Sequence, residues 1–159
     1  ENRLHALATA VLPGRMELCG TDPPIVLDGA HTPTSVRRTV ATFQRIYGTA
    51  GICIFGSVEG KDTAGMAAAI SAAFTDIIIS RPGTFKPNKP EEVARVFREV
   101  APQAELQLEP KEALRTALAL SSGGSSQSGR KGTDRPILVI GSFYMVAEIR
   151  PLLKRTEEV

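Results

Sequence analysis

Short branched apolar runs that alternate with amphipathic segments of helix length predict an α/β fold on a mostly parallel sheet. Three observations carry that reading. Ile52 to Phe55, Ile77 to Ile79 and Ile137 to Ile140 are apolar throughout, as strands buried on both faces should be. The segments between them have about the length of sheet-crossing helices. Gly20-Thr21-Asp22-Pro23-Pro24 is a turn-rich link of hairpin length, which sets one strand antiparallel to the next.

The elements follow in order. Arg3 to Val11 reads as a leading helix, and Met16 to Cys19 as the first strand. Ile25 to Leu27 is the second strand; Thr32-Pro33 then supplies an N-cap and a proline at the first helical position, opening a helix over Pro33 to Tyr47. Strands follow at Ile52 to Phe55, Ile77 to Ile79, Leu106 to Leu108 and Ile137 to Ile140. Helices are expected over Thr63 to Phe74, Lys89 to Val100, Lys111 to Leu120 and Tyr144 to Lys154. With right-handed crossovers these make a Rossmann-like three-layer sandwich: a six-stranded, mostly parallel sheet with one antiparallel strand, helices on both faces, and a single domain over 1–159. SSGGSSQSGRKGTDR, residues 121–135, has no apolar period and reads as a flexible, solvated loop. Its Arg130, Lys131 and Arg135 are basic enough to suggest a phosphate patch, but the composition favours a solvated insertion and no chemistry is assigned to it.

Composition removes several classes of function. Hydrophobic residues make up 42% of the 159, enough for one full core, and the formal net charge is only +2. A nucleic-acid partner would need a larger positive field. No apolar run approaches the roughly 20 residues that span a bilayer, so a soluble chain without a membrane partner is expected. Cys19 and Cys53 lie in apolar segments without CxxC spacing and read as buried free thiols, which fits a reducing, cytoplasmic setting. The chain opens at Glu1 without a methionine, so a piece of something longer is expected.

In open parallel sheets ligands sit outside the carboxyl ends of the strands, where helix N-termini aim free N–H groups. PPIVLDGAHTPTSVRR, residues 23–38, places Asp28 at such a strand end and His31 in the following turn. A carboxylate there can accept from ribose hydroxyls or hold a cation, and a histidine can donate to phosphate. Turn capping by Asp28 and an internally bonded His31 are the structural alternatives. Arg15, beside Gly14, suits a phosphate clamp or a plain surface turn. Ser142 ends the last long strand with the Phe143 and Tyr144 amides behind it, fit for a ligand carboxylate or for simple N-capping. Phe55 to Asp62 adds two glycines and polar side chains on the same edge, yet GxxxxGK[ST] is absent from the chain. No His/Cys cluster has metal-ligand spacing, so no metal site is assigned.

LPGRMEL at 12–18, IVLDGAHTP at 25–33, IFGSVEGKD at 54–62 and LVIGSFYMVAEI at 138–149 resemble, in order and spacing, the C-terminal domain of folylpolyglutamate synthase and dihydrofolate synthase in the Mur ligase superfamily. GSFYMVAEI points to the folate branch. GRME and AHTP also resemble the muropeptide ligases, and Thr32 stands where folate enzymes carry Asn. The Asp-Asn-Pro-Arg motif of the muropeptide ligases is replaced by SRPGTFKP, so the folate assignment leads.

That resemblance implies an ATP-dependent ligase joining L-glutamate to a folate or dihydropteroate through an acyl phosphate. The phosphate loop and most Mg2+ ligands would lie on a preceding N-terminal ATPase domain, leaving this domain inactive alone; a monomer is expected. By motif, Arg15 would contact nucleotide phosphate and Asp28 would position the nucleotide or the domain contact around it. His31 would face phosphate and glutamate, and Ser142 would help to bind glutamate. The alternatives are a muropeptide ligase domain and a Rossmann-like nucleotide-binding module without catalysis.

Overall fold

The computed structural model describes residues 12–123 and 134–154. The helix expected over Arg3 to Val11, and most of the 121–135 loop with Arg130 and Lys131, lie outside the described residues. The described elements are β1 (Glu17–Thr21), β2 (Pro24–Leu27), α1 (Pro33–Tyr47), β3 (Ile52–Phe55), α2 (Thr63–Ser71), β4 (Asp76–Ile79), α3 (Pro90–Val100), β5 (Glu105–Leu106), α4 (Pro110–Gly123), β6 (Ile137–Ile140) and α5 (Phe143–Lys154). The strands form one sheet in the order β1-β2-β6-β3-β4-β5. β1 pairs antiparallel with β2, and every other neighbouring pair is parallel, as the sequence predicts.

Alternation along the strands divides the core into two layers. Val26, Cys53, Phe55, Leu138 and Ile140 pack with residues of α1, α2 and α3. Leu27, Ile52, Ile54, Ile137 and Val139 pack with α4 and α5 on the other face. Every residue of β3 and β6 is buried, which is why their sequence limits coincide with the observed ones. Phe43, Phe55 and Phe97 are fully buried, each stabilising the fold by roughly 2–3 kcal/mol through the apolar area it removes from water.

The sheet edges depart from the predicted limits. Met16 leaves the expected first strand with φ 45°, and β1 instead runs to Thr21 with a register shift between Leu18 and Gly20. β5 is Glu105–Leu106 and not Leu106 to Leu108. Edge strands pair on one side only, so their apolar pattern constrains register less. α4 continues past Leu120 into the expected loop, because buried Ser121 donates to the Arg135 carbonyl at 2.7 Å. Arg135 in turn donates to the carbonyls of Ala50 and Gly51 and to the Asp76 carboxylate. Both ends of that segment are therefore ordered, and Arg135 sits at the amino edge of β3 and β4, opposite the ligand edge.

No helix among the described residues is long and apolar enough to cross a membrane. Both cysteines are free; Cys53 is buried as expected, whereas Cys19, on the edge strand β1, is only half-buried. Burial raises the pKa of the Cys53 thiol, and burial together with nearby Glu17 pushes Cys19 up to about 11. Neither is a reactive thiolate near neutral pH.

Glu17 ties the edge hairpin to α5. Its carboxylate accepts from the Gly14 N–H at 2.7 Å and from the guanidinium of Arg150. Burial alone would raise the Glu17 pKa; the bonds from Arg150, Gly14 and Cys19 outweigh it and hold the carboxyl below the usual range. A depressed folded-state pKa contributes stability that is present above the unfolded value and lost as pH falls through the folded one. Glu17→Gln should accordingly cost about 1–2 kcal/mol at neutral pH. Urea titrations of both forms should show the gap closing as pH drops below the ordinary carboxylate range; a gap independent of pH would mean the pair contributes nothing electrostatic.

Candidate active site

β2 and β6 are parallel neighbours, but the chain leaves β2 for α1 on one face of the sheet and leaves β6 for α5 on the other. Loops that part over adjacent strand ends open a crevice between them, the topological switch point of an open α/β sheet. Residues 28–32 form one wall and residues 141–144 the other. Backbone bonds fix the floor: the Asp28 N–H donates to the Val139 carbonyl at 2.9 Å, Gly141 to Ala30 at 3.0 Å and Gly56 to Ile140 at 3.1 Å.

Asp28 is only 4% exposed and faces inward. One carboxylate oxygen accepts from the Met16 N–H at 2.9 Å; the other accepts from the Ala30 N–H at 2.8 Å and the Thr39 hydroxyl at 3.2 Å. The left-handed turn at Met16 delivers its N–H to that oxygen. Three segments distant in sequence are thereby held on one buried anion.

Phe143 is the centre of the crevice wall. Gly29 donates to the Gly14 carbonyl at 2.8 Å, and a Cβ on Gly29 would fall 2.5 Å from the Phe143 ring. A Cβ on Gly14, whose φ is 66°, would fall 3.2 Å from the same ring. The ring thus rests on two bare glycines. The Arg15 guanidinium carbon lies 4.8 Å from its centroid, a cation–π contact that steadies an otherwise exposed arginine. The His31 ring is tilted against it at 6.3 Å.

His31 Nδ1 lies 2.8 Å from the Gly29 carbonyl oxygen. A carbonyl can only accept, so Nδ1 carries the proton and Nε2 is left for the crevice. Thr32 caps α1: its hydroxyl accepts from the Ser35 N–H at 3.2 Å, and its N–H donates to Ser35 Oγ at 3.1 Å. Ser142 is buried; its hydroxyl donates to the Gly56 carbonyl at 2.9 Å and accepts from the Met145 N–H at 3.0 Å. It caps α5 and clamps that helix to the β3 loop. Among the described residues the Phe143 and Tyr144 amides have no hydrogen-bond acceptor.

In front of these amides lies a cavity of about 250 Å³ lined by His31, Lys61, Lys86, Ser142, Phe143 and Tyr144. No carboxylate among the described residues pairs with Lys61 or Lys86. Phe85, exposed beside Lys86, stacks on Tyr144 at 5.7 Å. Two unpaired ammonium groups, an imidazole and the free N–H groups of a helix start suit an anionic ligand. No group of three or more His, Cys, Asp or Glu side chains able to hold a metal is present among the described residues.

The structure gathers Arg15, His31 and Ser142 around one phenylalanine and sets Asp28 beneath them. Sequence reasoning missed Lys61, Lys86 and the ring of Phe143. Surface lysines carry no periodic signal, and only the Gly-Lys-Asp at 60–62 on a strand-end loop hints at Lys61.

An open, mostly parallel sheet with a basic crevice at its switch point defines an α/β domain of the Rossmann-like class. The family model described as the Mur ligase, glutamate ligase domain matches residues 14–142, and the chain belongs to that family. It is 28% identical to the folylpolyglutamate synthase of Lacticaseibacillus casei, over 96% of this chain and 32% of that protein. It is 32% identical to a probable bifunctional folylpolyglutamate synthase/dihydropteroate synthase of Halobacterium salinarum, over 96% of this chain and 17% of that protein. The fold matches that of Mycobacterium tuberculosis folylpolyglutamate synthase complexed with ADP and AMPPCP, with a TM-score of 0.80 at 21% identity, over 92% of this chain and 33% of that one. E. coli FolC in complex with DHPP and ADP gives 0.76 at 19% identity, over 95% and 33%. The chain thus spans about a third or less of the length of these relatives.

The glycine–phenylalanine contact can be tested directly. Gly29→Ala should destabilise the domain by about 1–3 kcal/mol by driving a methyl group into the Phe143 ring. Adding Phe143→Ala should recover part of that loss, giving a non-additive double-mutant cycle in denaturant titrations; strict additivity would place the strain elsewhere.

Proposed function

We propose that this chain is the C-terminal domain of an ATP-dependent folate:L-glutamate ligase of the folylpolyglutamate or dihydrofolate synthase kind. A preceding ATPase domain would carry the phosphate loop and the Mg2+ ligands, and the domain alone would be inactive. One observation carries the reading: His31, Lys61, Lys86 and the start of α5 with its free amides line one crevice, no carboxylate among the described residues pairs with either lysine, and Arg15 is seated on the Phe143 ring of its wall. Amide formation through an acyl phosphate brings carboxylate and phosphate oxygens together, and a crevice lined by cationic and N–H groups supports that reading. The names of the relatives supply the substrate class.

When bound, ATP supplies the phosphoryl group that activates the acceptor carboxylate. Arg15, held against the Phe143 face, projects a guanidinium fork towards phosphate oxygens. His31, anchored through Nδ1, would present Nε2 to phosphate or glutamate. The Phe143 and Tyr144 amides, with Lys61 and Lys86, receive the carboxylates of the incoming glutamate. Ser142 keeps those amides in place and Asp28 positions the Arg15 and His31 turns; neither side chain needs to touch a ligand to matter.

In the full-length protein, Arg15→Ala and His31→Ala should each reduce turnover by about 100-fold or more, as loss of a transition-state donor commonly does. Activity near wild type would sink those roles. Ser142→Ala should lower stability by about 1 kcal/mol through the lost cap and raise the Michaelis constant for glutamate more than that for ATP. Equal effects on both would leave it a packing residue. ATP-dependent incorporation of radiolabelled glutamate should be followed with dihydropteroate and tetrahydrofolate in parallel; incorporation with neither acceptor overturns the folate reading.

A further inference from the structure

The loop that joins β4 to α3 brings its tip to the mouth of the crevice. Thr84, Phe85, Lys86 and Pro87 are exposed there, Phe85 by 81%. A short exposed turn with few buried contacts ordinarily samples many conformations. Here the Phe85 ring stacks on Tyr144 at 5.7 Å, and the Lys86 ammonium lies 5.9 Å from the Phe85 centroid. Lys86 and Tyr144 line the same cavity, so the tip is joined to the start of α5 where the ligand is expected.

One carboxamide fixes that tip from inside. Half-buried Asn88 sets its side-chain nitrogen 2.9 Å from the Gly83 carbonyl oxygen and 2.8 Å from that of Lys86. Carbonyls only accept, so the nitrogen donates both of its N–H groups, one on either side of Thr84 and Phe85. Other ties hold the ends of the loop. The Glu59 N–H donates to the Pro87 carbonyl at 3.0 Å, joining the loop to the one that carries Lys61. Gly83, with φ 75°, leaves no room for a side chain beside Glu148 of α5. Among the described residues, no other hydrogen bond reaches the Lys86 carbonyl. Without Asn88 the ammonium would be ordered only as ligand arrived, and the lost entropy would weaken binding.

We infer that Asn88 is a positioning residue for the incoming glutamate: it touches no ligand, and it holds Lys86 beside the Phe85–Tyr144 stack, where the ammonium meets a glutamate carboxylate at the start of α5. This role rests on the ligase reading for its substrate. It also carries a bound, since a residue that acts through Lys86 cannot cost glutamate binding more than loss of Lys86 itself.

Two measurements on the full-length parent test it. Asn88→Ala should raise the Michaelis constant for glutamate about fivefold or more, with kcat and the constant for ATP within roughly twofold of wild type. Lys86→Ala should raise it at least as much, and the double variant no further than Lys86→Ala. Asn88→Asp keeps the shape but has no N–H to donate, and should behave as Asn88→Ala does. An unchanged constant for glutamate, equal rises for glutamate and ATP, or additive effects of the two substitutions would overturn the role. The second measurement needs no substrate: backbone heteronuclear NOE values of Thr84, Phe85 and Lys86 should fall in Asn88→Ala while those of β4 and α3 hold. A tip as rigid as in wild type overturns this role alone. A wild-type parent that incorporates no glutamate overturns the ligase reading, and the role with it.

Discussion

One buried carboxylate organises the business edge of this domain. Asp28 ends a strand that lies against the antiparallel edge strand on one side and β6 on the other, and it accepts from Met16, Ala30 and Thr39 at once. An anion so enclosed is tolerable only because three donors replace its water. The price of burying it explains why the turn carrying Arg15, the turn carrying His31 and the first helix cannot move independently. Each donates to the same group, or sits one residue away from a donor to it.

Phe143 converts that rigidity into a surface. Its ring covers Gly14 and Gly29, positions where any side chain would collide with it, and its outer face carries the Arg15 guanidinium. The next layer is electrostatic: the α5 N-terminus, capped by Ser142, leaves two amides pointing where Lys61 and Lys86 converge. Packing comes first and charge second. An arginine without an aromatic seat would sample many rotamers, and ordering it on binding would cost side-chain entropy. Much of that ordering is already made in the folded domain.

The same logic separates side chains that face the crevice from side chains that hold its walls. Ser142, Asp28 and Thr32 all have polar side chains at the crevice, and all three direct them inward to backbone or capping partners. His31 divides the two jobs between its nitrogens, one fixed by the Gly29 carbonyl and one free. Thr32 has hydrogen-bonding capacity because α1 needs a cap.

The sequence by itself determined the sheet and its ligand edge. Ile52–Phe55 and Ile137–Ile140 are apolar at every position because both faces are covered, and the strand-end rule then places Asp28, His31 and Ser142 on one edge without any coordinates. At the sheet margins the pattern weakened, since β1 and β5 answer to one neighbour only and their ends are set by Met16 and by Ile79 across the sheet. Tertiary structure alone decided which side of each polar residue matters. That Asp28 faces inward, that Phe143 seats Arg15 and that Lys61 and Lys86 share a cavity are facts of packing between segments far apart in the chain. Local periodicity reports the neighbours a residue has along its own element; it holds no record of the ones that arrive from across the fold.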